Sequence, residues 1–298
     1  MTGRVIRSRG RLFTVLTDGK EYQCEVLGKA KREKGHSPVA IGDLVDFTPV
    51  ADGSGGIEIV HPRKTKFSRP RVGEELKGTE QVIVANVDQM VIVGSVRQPE
   101  LKLRLVDRFM VAAQKGGLKP IVVINKVDLQ HKHDLKRIRS IYESVETPVV
   151  MASCVDGRGI DELRELLRDH ESIFVGHSGT GKSTLLNRLQ PGLALRTSEI
   201  SEATAKGTHT TTSVELFALD SGGYVVDSPG LKVMGIWDLE LDELQTCFPE
   251  FEKYLGHCKF SRCSHLHEPE CVIRKAVSEG RIFSERFESY ERLYQGLK

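Results

Sequence analysis

The first 70 residues alternate short apolar runs with polar turns, a pattern typical of a small all-β domain. The apolar runs lie at 5–6, 12–16, 22–26, 44–47 and 57–60, and Gly- and Asp-containing turns separate them. We therefore predict an OB-fold β-barrel over residues 1–70, although an SH3-like barrel would give the same pattern. The polar, basic stretch 63–79 contains several Pro and Gly residues and is interpreted as a linker.

A different pattern begins near residue 89, where apolar strand-length runs alternate with amphipathic helical stretches. Strands are predicted at 89–93, 120–124, 149–151 and 173–175, and helices at 101–114, 133–143 and 160–167. This alternation indicates an α/β domain with a mostly parallel, doubly wound sheet, which we assign to residues 71–238. Residues 239–298 lose the strand pattern and contain helical segments at 272–279 and 284–294, so a helical C-terminal domain is predicted there.

The composition of the chain restricts the class of protein but does not indicate a function. With 298 residues, 39% hydrophobic and 28% charged, the chain is typical of a globular protein of two or three domains. Its apolar runs are too short for a membrane span or a secretory signal, so a cytoplasmic location without a membrane is expected. Residues 1–69 carry 13 Lys and Arg against 8 Asp and Glu. That excess suits either a polyanionic partner or a solvated basic face.

A phosphate-binding loop follows the strand at 173–175. It reads Gly176, His177, Ser178, Gly179, Thr180, Gly181, Lys182 and Ser183, with Thr184 next, and a helix is predicted to begin there. Glycines allow the backbone to curl so that its N–H groups face phosphate oxygens. Lys182 can then reach the β and γ phosphates, and the Ser183 hydroxyl can bind Mg²⁺. A glycine-rich turn without this role would not need Lys and Ser at that spacing.

The base contact is predicted at Asn125, Lys126 and Asp128, directly after the strand at 120–124. A carboxylate at Asp128 can accept hydrogen bonds from guanine N1 and N2, which adenine cannot offer, so guanine would be selected. Taken alone, the four residues would also make an ordinary loop. Ser153, at the end of the next strand, either contacts the base edge or is a plain loop serine.

Asp227, Ser228, Pro229 and Gly230 end a further predicted strand. Asp227 could hold Mg²⁺ through water, and the Gly230 N–H could sense a γ-phosphate. The polar stretch 206–212 before it suits a switch that closes over the nucleotide, with Thr211 favoured over Thr210 as the second Mg²⁺ ligand. Leu231 stands where Ras-like enzymes carry a water-orienting Gln, so water must be positioned otherwise.

These motifs resemble those of translation-factor-type GTPases, but the guanine motif precedes the phosphate loop, which is the order of a circularly permuted GTPase. The chain resembles the RsgA family of small-ribosomal-subunit biogenesis GTPases over essentially its whole length. The resemblance includes these motifs and the segments 85–89, 105–109 and 207–212. The resemblance implies binding to the small ribosomal subunit and its rRNA, GTP hydrolysis to GDP stimulated by that subunit, and a role in its maturation. It also implies that His209 is the catalytic histidine.

The C-terminal segment contains Cys258, Cys263 and Cys271 with histidines nearby, a strong signal for a closed structural Zn²⁺ site. His257, His265 and His267 compete as the fourth ligand, and the family spacing matches His265. The other cysteines, Cys24, Cys154 and Cys247, are interpreted as small hydrophobic residues. A phosphate-loop ATPase or kinase and a non-enzymatic RNA-binding adaptor are the alternative functions, and a monomer is the default expectation.

Overall fold

The computed structural model describes residues 1–27, 39–50, 52–71, 79–129, 132–193, 214–227 and 236–297. Within them the strands are β1 (Thr2–Arg9), β2 (Leu12–Thr17), β3 (Lys20–Val26), β4 (Leu44–Pro49), β5 (Ser54–Val60), β6 (Lys66–Pro70), β7 (Glu80–Ala85), β8 (Gln89–Ser95), β9 (Lys119–Asn125), β10 (Val149–Met151), β11 (Glu171–Val175), β12 (Glu215–Ala218) and β13 (Tyr224–Asp227). The α-helices are α1 (Leu103–Gly116), α2 (Leu135–Glu143), α3 (Ile160–Leu167), α4 (Lys182–Leu189), α5 (Leu241–Leu244), α6 (Val272–Ser278) and α7 (Ser284–Leu297). Short 3₁₀ helices cover Pro191–Leu193, Gln245–Cys247 and Pro249–Tyr254.

The N-terminal strands form a closed ring in the order β1-β2-β3-β5-β4, because β1 pairs with β4 as well as with β2. β3 and β5 run parallel, and the other neighbours in the ring are antiparallel. Alternate residues of the strands fill the interior, since each strand sends every second side chain inward. The most buried are Val5, Val15, Cys24, Val45, Phe47 and Ile57. This closed five-stranded ring confirms the OB-type barrel.

The predicted doubly wound sheet is also confirmed. Its strand order is β10-β9-β8-β11-β13-β12; the first five strands are parallel, and β12 is antiparallel to β13. Successive residues of β8 face opposite sides, so Met90 and Ile92 pack with α1 and α2, while Val91 and Val93 pack with α3 and α4. Covering both faces in this way is what makes parallel strands almost continuously apolar.

The stretch interpreted as a linker contains a strand. β6 forms an antiparallel hairpin with β7, and neither strand was expected. β6 has one buried side chain, Phe67, and the rest of the strand is Lys66, Ser68, Arg69 and Pro70, so its sequence carries no period-2 signal. Its Lys66 forms an ion pair of 2.8 Å with the buried carboxylate of Glu80, which explains a charged residue at the start of β7.

The C-terminal residues pack short helices around an aromatic core of Phe248, Phe251 and Tyr290. Val111 of α1 belongs to the same core, so this domain docks directly on the helix that follows β8. The predicted helices at 272–279 and 284–294 correspond to α6 and α7. No helix in the described part of the chain combines the length and apolarity needed to cross a membrane. The domain limits 1–70, 71–238 and 239–298 stay predictions.

Candidate nucleotide and metal sites

The phosphate loop lies where the strand order of the sheet changes direction. From β8 the chain continues to β9 and β10 on one side, whereas β11 continues to β13 on the other. Ligands of doubly wound sheets bind at the carboxyl ends of the strands at such a switch point. The loop starts at Gly176, directly after β11. A Cβ at Gly176 would lie 2.2 Å from the carbonyl oxygen of Val93 on β8, so only glycine fits this close approach.

The loop ends at the first turn of α4, and the N-terminus of a helix favours a bound anion because its first N–H groups and its dipole point towards it. Gly176, Thr180 and Lys182 are buried, Gly179, Gly181 and Ser183 are partly buried, and His177, Ser178 and Thr184 are exposed. The Lys182 ammonium donates to the carbonyl oxygens of Gly176 at 3.0 Å and His177 at 3.1 Å. It is thereby held over the loop, where it can meet the charge of a bound phosphate.

Asn125 links the predicted guanine motif to the phosphate loop. It is the last residue of β9, its side chain is almost fully buried, and Nδ2 donates to the Thr180 carbonyl oxygen at 2.9 Å. A Cβ at Gly181 would lie 2.4 Å from the same Nδ2, and its φ of 92° is strained for any other residue, so glycine is favoured there as well. The two motifs, far apart in the sequence, therefore form one structural unit.

Lys126 adopts a left-handed conformation (φ 63°), and its ammonium donates to the carbonyl oxygen of Gln98. Burial lowers the pKa of this ammonium. The chain then turns, with the Leu129 N–H donating to the Lys126 carbonyl at 3.0 Å, and leaves Asp128 half-buried at the rim of the site. Asp128 is thus accessible to a base, as the guanine-binding prediction requires.

Ser153 has a structural role of its own. It is fully buried, and its Oγ accepts hydrogen bonds from the N–H groups of Val155 at 3.2 Å and Asp156 at 3.3 Å. The turn that it stabilises presents Arg158, which sequence reasoning missed. The charge of Asp128 contributes to raising the pKa of Arg158, after the hydrogen bond and charge of Asp156, so Arg158 lies near the carboxylate that is predicted to bind the base. A faint signal for this turn is present in the sequence, since Asp156-Gly157 is a turn dipeptide.

The predicted Mg²⁺ ligands lie mostly outside the described residues. The backbone of Asp227 ends β13, opposite Phe174 on β11 and therefore beside the phosphate loop. Its side chain, together with His209, Thr210, Thr211 and Gly230, falls outside the described part of the chain. Their assignments stay predictions.

The structure brings Cys258, Cys263, His265 and Cys271 together, with their donor atoms within 4.8 Å of one another. Cys258 Sγ lies 3.6 Å from His265 Nδ1 and 3.9 Å from Cys271 Sγ, and His265 Nδ1 lies 3.4 Å from Cys271 Sγ. The edges of a tetrahedron around Zn²⁺ with ordinary bond lengths are about 3.8 Å between sulfurs and about 3.6 Å between sulfur and nitrogen. The donor set therefore fits a tetrahedral ion, and the competing His257 and His267 are exposed.

A residue outside the cluster fixes the orientation of His265. Its Nε2 lies 2.8 Å from Oε1 of Gln245, which can only accept, so Nε2 carries the proton and Nδ1 is left to bind metal. Gln245 lies in a 3₁₀ helix far from the cysteines in sequence, and no sequence motif points to it. With four protein donors, the site leaves no open position for water, which is typical of a structural metal.

A phosphate loop at the switch point, joined to a guanine motif that precedes it in the chain, defines a circularly permuted phosphate-loop GTPase. The family model of the RsgA GTPase matches residues 60–237, and that of the RsgA N-terminal domain matches residues 2–57. This chain belongs to the RsgA family of GTPases.

Curated relatives and solved structures agree. The "Small ribosomal subunit biogenesis GTPase RsgA" of Chlorobaculum tepidum is 41% identical over 305 residues, covering 100% of this chain and 98% of the relative. The protein of the same name from Thermotoga maritima is 40% identical over 299 residues, covering 99% and 96%. The crystal structure of YjeQ from Thermotoga maritima matches with a TM-score of 0.79 and 37% identity, covering 99% of this chain and 98% of that one. YloQ, described as a circularly permuted GTPase, matches with a TM-score of 0.74 and 28% identity, covering 99% and 94%.

Proposed function

We propose that this GTPase binds the small (30S) ribosomal subunit and its rRNA, hydrolyses GTP to GDP and phosphate with stimulation by that subunit, and acts late in subunit maturation. The names of the relatives support the ribosomal role. The observation that carries the nucleotide assignment is the hydrogen bond from Asn125 to the Thr180 carbonyl oxygen, because it joins the base-binding and phosphate-binding segments into one site.

Each part of this site has a separate task. The N–H groups of 176–183 bind the phosphates, and Lys182 neutralises charge on the β and γ oxygens. Mg²⁺, held by Ser183 and Thr211 and through water by Asp227, would neutralise charge that develops on the phosphates. His209 positions the attacking water, because the side chain of Leu231, which follows Gly230, cannot form a hydrogen bond. Asp128 selects guanine.

The partner surface is proposed on the two accessory domains. Arg9 and Arg11 flank the turn between β1 and β2 and are both exposed, so the barrel offers cations to RNA phosphates. Zn²⁺, held by Cys258, Cys263, His265 and Cys271, would stabilise a domain with a small apolar core of its own. We propose a cytoplasmic monomer.

We further propose that GTP fixes the domains in the arrangement that binds the subunit and that hydrolysis releases it. A nucleotide shifts such an equilibrium only through different affinities in its two states. Small subunits should therefore bind the complex with a non-hydrolysable GTP analogue more tightly than the GDP complex. Equal affinity in sedimentation would contradict this step.

The proposed function is tested by phosphate release from GTP and from ATP, with and without purified small ribosomal subunits. We expect hydrolysis of GTP but not of ATP, and we expect the rate with GTP to rise strongly when small subunits are added. Lys182→Ala should abolish it, whereas turnover of ATP would favour the ATPase alternative. GTP turnover that is indifferent to subunits would leave the GTPase and remove the ribosomal role. Absence of turnover with retained RNA binding would favour an adaptor.

A further inference from the structure

Strand β1 belongs to the barrel and to the GTPase sheet at once. Its first residues pair with β4, from Thr2 opposite Asp46 to Arg4 opposite Leu44, whereas Arg7 pairs with Glu215 of β12. The register against β2 shifts between Val5 and Arg7, and a bulge at such a point bends a strand. One continuous sheet therefore runs from the barrel into the GTPase domain through the pair Arg7 and Glu215.

This pair lies in the same row of the sheet as the hydrolytic end of β13. Glu215 is opposite Asp227 on β13, and Asp227 is in turn opposite Phe174, close to the phosphate loop. Neighbouring strands are about 4.8 Å apart. The backbone of Arg7 is therefore only about 10 Å from that of Asp227, two strands away.

The side chains strengthen the connection. The Arg7 guanidinium forms an ion pair with Glu215 through Nε, and its Nη1 and Nη2 donate to the two carboxylate oxygens of Glu21 at 3.0 Å each. Glu21 lies on barrel strand β3. One arginine thus joins a second barrel strand to the strand next to Asp227.

β12 has few other restraints at its outer edge. It is four residues long and pairs with β13 along its whole length, but Glu215 is its single paired residue on the side of β1 among those described. Short edge strands are weakly held by backbone pairing alone. The contact with Arg7 is therefore placed to decide where this end of β12 lies.

We propose that Arg7 and Glu215 are positioning residues for GTP hydrolysis, holding β12 so that Asp227 keeps its place beside the phosphate loop. The inference rests on the proposed role of Asp227 in the Mg²⁺ site. We expect nucleotide binding to be independent of this contact, since the phosphate loop and the guanine motif follow β11 and β9. Small misplacements of catalytic groups reduce rates strongly, even when binding is intact.

A second ion pair between the barrel and the GTPase domain provides a matched control. Arg4 on β1 forms an ion pair with Glu171, donates to the Asn86 carbonyl oxygen at 2.9 Å, and lies 5.6 Å from the centre of the Tyr224 ring. Glu171 and Tyr224 are the first residues of β11 and β13, so this contact is at the end of the strands away from Asp227. It anchors the barrel without touching the hydrolytic row.

The test compares Arg7→Gln, Glu215→Gln, the double variant and Arg4→Gln. Single-turnover hydrolysis at saturating GTP, the Kd for GDP and the thermal midpoint are measured for each. Arg7→Gln and Glu215→Gln should each slow hydrolysis about twofold to fivefold, the range that an exposed ion pair can contribute. The double variant should be no slower than Arg7→Gln, because Arg7→Gln has already removed the contact that Glu215→Gln removes. GDP affinity and thermal midpoint should stay near wild type.

Arg4→Gln should instead lower the thermal midpoint and leave hydrolysis near the wild-type rate. Arg7→Lys, which keeps the charge, should recover part of the rate lost in Arg7→Gln. Unchanged rates in Arg7→Gln and Glu215→Gln would overturn the inference, as would an equal slowing in Arg4→Gln, which would indicate general loosening. Lys182→Ala, measured in parallel, distinguishes failure of the proposed nucleotide site from failure of the positioning role of Arg7. If it abolishes hydrolysis while the Arg7 variants are normal, the proposed site stands and the positioning role fails, whereas turnover retained in Lys182→Ala would overturn both.

Discussion

Replacing Arg286 with methionine should strongly destabilise the docking of the C-terminal domain on the GTPase domain. Arg286 lies on α7, and its side chain is 1% exposed. Nη1 donates to Asp107 of α1 at 2.7 Å, and Nε donates to Glu250 at 2.7 Å. Burial alone would lower the pKa of Arg286, but the charges of Asp107 and Glu250 raise it, so the guanidinium stays ionised.

The magnitude follows from what methionine leaves behind. Its side chain can occupy similar space but cannot balance two carboxylates. Removing one partner of a buried ion pair costs about 3–5 kcal/mol, because an uncompensated charge remains in the interior. The cost of losing the guanidinium is larger for Asp107 than for Glu250, since the Asp107 side chain is 1% exposed and the Glu250 side chain is 10% exposed. Ser289 still donates to Asp107, so we expect the lower end of that range, about 3 kcal/mol.

Urea unfolding followed by the fluorescence of Trp237 provides the assay. Trp237 is the single tryptophan and lies just before residue 239, where the C-terminal domain is predicted to begin. Arg137→Met is the matched control, since Arg137 also forms an ion pair with α7, through Glu285, but is 52% exposed. That loss should be below about 1 kcal/mol. Adding Asp107→Asn to Arg286→Met should recover part of the stability. A loss in Arg286→Met no larger than in Arg137→Met would refute the reasoning.

Three further substitutions test separate parts of the sites. Asp128→Asn should weaken GTP on the order of 100-fold and favour xanthine nucleotides, whose C2 oxygen accepts the amide N–H, and unchanged nucleotide preference in a displacement assay would contradict the guanine assignment. Gln245→Leu should weaken metal binding about 10- to 100-fold in competition with a chelator, because His265 loses the acceptor that orients it, and equal affinity would remove that role. His209→Ala should reduce turnover with GTP affinity near wild type, and unchanged turnover would remove its assignment.

The fold could be predicted where chemistry or periodicity is concentrated in a short stretch. The barrel strands alternate apolar and polar residues, and the phosphate loop carries its own spacing, so both were found from the sequence. β6 and β12 were missed because their pairing partners, rather than their own patterns, make them strands. β7 was missed although its run Val82, Ile83 and Val84 is an ordinary strand signal. β12, for example, has one buried side chain, Leu216.

The residues of the sites also fall into two groups, those that a sequence motif identifies and those that only the structure identifies. Asn125 and Lys182 belong to motifs and were named in advance, and the structure places both at the switch point. Arg286 and Gln245 were not anticipated, because each acts through a partner distant in sequence. A buried arginine looks like any charged helix residue until the carboxylates opposite it are known.

In the proposed coupling between domain arrangement and nucleotide state, the permuted chain order gives the accessory domains a short path to a site that they do not form. β11, which carries the phosphate loop, lies between β8 and β13. β8 is the strand by which the chain enters the sheet from the barrel and the β6–β7 hairpin, and β13 is the strand from which it leaves towards the C-terminal domain. In the unpermuted order, the chain would enter the sheet at β11 itself. Here each accessory domain is attached to a strand hydrogen-bonded to β11, so a displacement of either needs to cross only one strand interface to reach the nucleotide.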